Sequence, residues 1–166
     1  MAKNDIKIRD VAGFNVLPSR VYQVASGAAA SIKAGEPVRM TTIGTSVYAE
    51  LAADADPTIG TDYILGIAAG DSTDTVAAAG TVEVFLPLPG VVYRAKAKSS
   101  TAADTEAEIL ALANKRTLFD LTAGVWTIDT AAADATTSGL ILTGTGNASN
   151  NEVDFQISIR TTNLAF

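Results

Sequence analysis

Short apolar runs, each stopped by small or turn-forming residues, recur along the chain and predict strands almost throughout. Three stand in a row at residues 64–68, 81–86 and 91–96, the last two joined across Pro87-Leu88-Pro89-Gly90, which is too proline-rich for a two-residue turn. Upstream, residues 20–25, a strand opening at Pro37 and a partner over 45–51 form a hairpin meander, with Pro37 confined to a strand start or sheet edge. Downstream, residues 117–121, 125–129, 140–143 and 153–161 complete the strand set. The cleanest period-2 run puts Val153, Phe155, Ile157 and Ile159 toward a core, and Asp154, Gln156, Ser158 and Arg160 toward solvent or a neighbour.

Only residues 101–115 have helical character. Ser100 or Thr101 can cap the start, Asp104, Glu106 and Glu108 lie early, Lys115 and Arg116 lie late, and Ile109, Leu112 and Ala113 make one stripe suited to core packing. The pattern as a whole predicts a mainly β protein, a small β-sandwich or barrel with one short helix and an extended N-terminal arm. The arm is residues 1–19 and the β-rich domain residues 20–166, within which 117–166 could form a C-terminal lobe.

The arm carries Ile6, Ile8, Val11, Phe14 and Val16 among charges and stops at Pro18. Two readings follow: it adds to the sheet edge of another protein, or it packs as an edge strand on its own domain. Leu88, in the proline-rich loop, is either a contact tip or folded over the barrel end. Phe119, Trp126, Leu164 and Phe166 serve either a protein interface or the core.

Charge changes the picture more than net value does. Residues 1–40 hold six bases and three acids, residues 41–93 no base and seven acids, residues 94–116 five bases and three acids, and the remainder Arg160 against five acids, for a net charge of −6. A basic edge on an acidic body is expected. Nucleic acid is disfavoured as a partner, since the body repels phosphate and no basic stripe with interleaved aromatics occurs. No apolar stretch is long enough for a membrane-spanning helix, and the alternating N-terminus lacks the apolar core of a secretory signal.

The chain has no Cys and no His, which removes thiol and imidazole chemistry and the usual soft-metal ligands. Neither a Gly-x-Ser-x-Gly elbow nor a phosphate-cradling loop is present. Paired carboxylates at Asp54/Asp56, Asp71/Asp74 and Glu106/Glu108 lack the apolar neighbours that would split their pKa values. The run from Asp54 to Asp62 has the alternating oxygens of a calcium loop, but its glycine falls one place late and its twelfth position is Leu65, so an incidental turn is the better reading. No catalytic residue, metal or cofactor is expected, and the chain reads as a binding or assembly protein, not an enzyme.

The basic arm, the turn Ala34-Gly35-Glu36-Pro37-Val38, the strand Ile64-Leu65-Gly66-Ile67-Ala68 and the Gly80-x-Val82-x-Val84 strand together resemble the head-decoration, or capsid cement, proteins of tailed bacteriophages. The resemblance covers about residues 30–97. It implies a structural protein of the virion, made in the host cytoplasm, usually a homotrimer, that sits on the outer face of the capsid and bridges neighbouring copies of the major capsid protein. It also implies attachment through the arm. The alternative is a carbohydrate-binding β-module or fibre domain, with Tyr48, Tyr63, Tyr93 and Trp126 as a stacking platform.

Overall fold

The computed structural model describes residues 6–13, 15–27, 31–132 and 136–162. Phe14, Leu164 and Phe166 lie outside them. The described chain is mainly β: β1 Lys7–Asp10, β2 Ser19–Val24, β3 Pro37–Ile43, β4 Ser46–Leu51, β5 Ile64–Ala68, β6 Gly80–Phe85, β7 Val92–Lys96, α1 Glu106–Ala111, β8 Arg116–Thr117, β9 Phe119–Thr122, β10 Val125–Ile128, β11 Leu140–Asn147 and β12 Glu152–Ile157. Strands β2-β4-β3-β5-β6 close a barrel, β1-β7-β12-β11-β8 form an antiparallel sheet, and β9 and β10 pair as a separate hairpin. The mainly β expectation with one short helix thus holds, and the architecture combines a barrel with a second sheet.

Two apolar interiors result. The smaller fills the barrel with Val24, Ile32, Val38, Ala49, Leu65, Ala68, Val82 and Val84. The larger gathers one face of the five-stranded sheet, the β9–β10 hairpin and the adjoining barrel wall around Tyr93, Phe119, Trp126 and Phe155. Phe119 meets Trp126 and Phe155 edge-on at ring-centroid distances of 6.0 and 5.8 Å, and Tyr93 stacks on Phe155 at 5.7 Å. Each such pair contributes about 0.5–1.5 kcal/mol beyond its burial.

Strand β5 belongs to both interiors, and a bulge explains how. Val38 pairs with Gly66 and Arg39 with Ile64, which leaves Leu65 without a partner in β3. One extra residue shifts the alternation, so Ile64 and Ile67 enter the large core while Leu65 and Ala68 enter the barrel. Gly66 is required there: its φ is +144°, and a Cβ would run into the Phe85 carbonyl oxygen on β6. At the other hairpin, Ala123 and Gly124 both take positive φ (52° and 78°), the two-residue turn that matches the strands' right-handed twist.

Three expectations need correction. The helix is shorter than residues 101–115: it starts at Glu106 behind a capping box in which the Thr105 side chain accepts from the Glu108 amide and Glu108 accepts from the Thr105 amide, so neither Ser100 nor Thr101 is the cap. Lys115 follows the helix and Arg116 opens β8, because Leu142 N–H donates to the Lys115 carbonyl and draws the chain into the sheet. Strand β12 ends at Ile157, with a 3₁₀ turn at Ile159–Thr161; of its expected polar face Asp154 and Ser158 are buried, as is Glu152 before them, while Gln156 is half-buried and Arg160 exposed. The strand lies between β7 and β11, and β7 sets Lys96 and Arg94 opposite Glu152 and Asp154.

Candidate functional site

The N-terminal segment takes the edge-strand alternative. Strand β1 pairs antiparallel with β7, Lys7 opposite Arg94 and Ile8 opposite Tyr93, and so lies at one margin of the five-stranded sheet. Ile6 is buried in the large core, and Ile8 and Val11 pack partly against it. Among the described members of the set, Val16, at 78 % exposure, is the one that stays in water. What β1 offers outward is a backbone edge that no described strand pairs, and the exposed side chains Lys7 and Arg9.

Register then gathers the basic residues of two distant sequence segments. Residues opposite each other across an antiparallel pair share a face, so Lys7, Arg94, Lys96 and Arg116 lie on the outer surface of the sheet together with Glu152, Asp154 and Asp10. Arg9, in a bulge of β1, lines the same groove as Arg94. The groove opens beside α1 into a cavity of about 620 Å³ floored by residues 144–149, with Glu106, Ile109 and Leu110 on the helix side.

At its centre is a paired charge that sequence reasoning missed. Arg94 donates from Nε to Asp154 Oδ1 at 2.6 Å and from Nη2 to Oδ2 at 2.9 Å, and a further bond goes to the Gly146 carbonyl at 3.3 Å. Thr145 Oγ1 adds a bond to Asp154 Oδ2 at 2.8 Å. These hydrogen bonds to Asp154, with its negative charge, hold the Arg94 guanidinium above its ordinary pKa against the pull of burial. The sole signal in the sequence was the acid itself in a strong strand; its partner is 60 residues away and nothing local marks it.

The acid-rich loop after β4 is structural. Asp56 accepts from the Ala53 amide at 2.7 Å and from Arg39 Nη1 at 3.2 Å, while Arg39 Nε donates to Glu50 at 2.8 Å. Asp62 caps the Thr58 amide, and Asp54 accepts from Leu121 N–H at 2.9 Å, tying the loop to β9. Burial pushes the Asp56 carboxyl above its usual range. Among the described residues no group of three or more acids, His or Cys is placed to hold a metal ion, and no helix is long and apolar enough to cross a membrane.

The remaining expected contact residues turn inward. Phe119 and Trp126 are buried to within 1 % in the large core, which leaves no surface for a partner. Leu88 packs partly against the same core, held by the Val91 amide donating to its carbonyl, so the loop is folded down and presents no tip. The four-ring platform is also corrected: Tyr93 and Trp126 are buried, leaving Tyr48 and Tyr63 without them. Compared with family models, curated proteins and solved structures, the chain matches none.

Proposed function

We propose that this protein is a structural component of a phage virion that decorates the outer capsid face and bridges neighbouring major capsid subunits, acting as a homotrimer. The observation that carries this reading is the clustering of the motifs behind the family resemblance. The segment opening at Pro37, the strand Ile64–Ala68 and the strand Gly80–Phe85 are neighbours in one barrel, with Pro37 opposite Ile67 and Ile67 opposite Phe85. Three short patterns scattered over some fifty residues of sequence make one structural unit, as a shared scaffold requires.

Adhesion needs shape, an available sheet edge and repetition over symmetry-related sites, where weak single contacts add. Strand β1 supplies such an edge, flanked by Lys7 and Arg9, and the capsid subunit is the partner this reading assigns to it. Deleting residues 2–15 is a poor test, because it removes Ile6 from the core and a strand from the sheet. The informative variant is the double substitution Lys7→Glu with Arg9→Glu, both exposed, mixed with undecorated phage shells and followed by co-sedimentation. The reading expects the parent chain to pellet with shells as a trimer and the variant, still folded by circular dichroism, to stay in the supernatant. Parent chain that remains in the supernatant, or a variant that pellets equally, overturns it.

A further inference from the structure

The barrel is not closed equally all round. Strand β2 is laddered to β6 along its whole length, from Ser19 opposite Phe85 to Val24 opposite Gly80, and β4 is laddered to β3 from Ser46 to Leu51. Between β2 and β4, which run parallel, the one paired position is Val24 with Ala49. Two residues back along each strand, at Tyr22 and Val47, the ladder has stopped, and both residues line a cavity of about 300 Å³.

Its lining includes Arg20, Tyr22, Val47, Tyr48 and Leu65. Val47, part of this lining, is 57 % exposed. A strand already paired on one side has alternate N–H and C=O groups pointing the other way, so the facing margins of residues 19–23 and 46–48 present two rows of backbone donors and acceptors across an apolar floor. Among the described residues Arg20 is the single charged one in the lining, its guanidinium 5.5 Å from the Tyr22 ring centroid. Neighbouring carboxylates are engaged elsewhere: Glu50 pairs with Arg39, and Glu83 accepts from Ser19 Oγ.

We propose that the open end of the β2–β4 seam is an acceptor groove for an extended strand of another protein, apolar at alternate positions and carrying a carboxylate set against Arg20. Backbone rows dictate an extended occupant, since only a strand matches their spacing. The apolar floor dictates the alternation, and the lone cation dictates the acid. The five residues 19–23 offer an edge of about 16 Å, the length of a short strand. The inference does not depend on the virion reading, because it concerns a different face from β1 and is tested without shells.

The test is a titration of the full-length, ¹⁵N-labelled chain with a capped hexapeptide that alternates valine and threonine and contains one glutamate, read by amide chemical shifts and hydrogen exchange. Shifts and slowed exchange confined to residues 19–23 and 46–49 are expected. Arg20→Gln should weaken binding about fivefold, the equivalent of an exposed ion pair, and Val47→Lys should abolish it. Both positions are exposed, so melting temperatures should stay within about 2 °C of the parent. The proposal fails if no shift appears at millimolar peptide, if the shifts fall on residues 7–10 of the β1 edge, or if a lysine-for-glutamate peptide binds equally well. It also fails if the seam resonances move with protein concentration alone, which would make a second copy the occupant.

Discussion

Replacing Asp154 with Asn tests whether the outer face of the five-stranded sheet is held by a covered ion pair or merely decorated by one. The carboxylate is 4 % exposed at its side chain and Arg94 18 %, so neither can rehydrate freely. Asp154→Asn keeps the shape, removes the negative charge, and turns an amide NH₂ toward one of the two Arg94 donors. Removing one member of a buried pair costs about 3–5 kcal/mol, most of it the penalty of leaving the other charge uncompensated. Arg94 keeps a bond to the Gly146 carbonyl and some solvent, which argues for the lower end, about 3 kcal/mol. For a domain of this size that is a fall in melting temperature of about 6–12 °C. The assay is urea denaturation of the parent, Asp154→Asn, Arg94→Met and the double variant, read as a double-mutant cycle. The reasoning requires a coupling of about 2 kcal/mol, with the double variant more stable than either single change would suggest. A coupling below about 0.5 kcal/mol would refute it and reduce the pair to a surface contact.

Further outcomes follow from particular positions. Gly66→Ala should prevent soluble expression, because a methyl group there meets the Phe85 backbone in the middle of the barrel wall, whereas Gly44→Ala, at positive φ but with open space around it, should cost only about 1–2 kcal/mol in urea denaturation. Thr105→Ala should lower stability by about 1 kcal/mol through loss of the capping box, detectable as a small fall in urea midpoint with unchanged slope. Burial raises the Glu36 carboxyl above its usual range even though the Lys33 amide and other neighbours pull it down. The folded state therefore holds that proton more tightly than the unfolded chain, and its penalty is full above the raised value and vanishes as pH falls below the ordinary glutamate range. Measured from pH 7 to pH 4, the melting temperature of the parent should accordingly gain on that of Glu36→Gln, and a difference independent of pH would contradict the assignment.

Local pattern was enough to find the strands, because a half-covered strand writes its alternation into consecutive residues, as Val82 and Val84 do against Glu83. The same logic misread β12. Asp154 and Glu152 look like solvent-facing residues until β7 supplies Arg94 and Lys96 opposite them, and a partner 60 positions away is a fact of topology that no window along the chain contains. The helix was placed too early for a related reason: Ser100 and Thr101 are sound caps, but the capping box at Thr105 and Glu108 satisfies two amides at once and wins. Phe119 and Trp126 had equal standing as contact or core residues in the sequence; only the packing of the β9–β10 hairpin against Phe155 decides between them. The opening between β2 and β4 was invisible beforehand, since both strands are well formed by themselves and the gap exists only in how they meet.

Strand β5 works as a wall common to two rooms. Its side chains alternate between two interiors through a single displaced residue, so it cannot shift toward one without opening a void in the other. Barrel and sheet are thereby bound to melt together, and a change felt at Leu65 on one side is transmitted to Ile64 and Ile67 on the other.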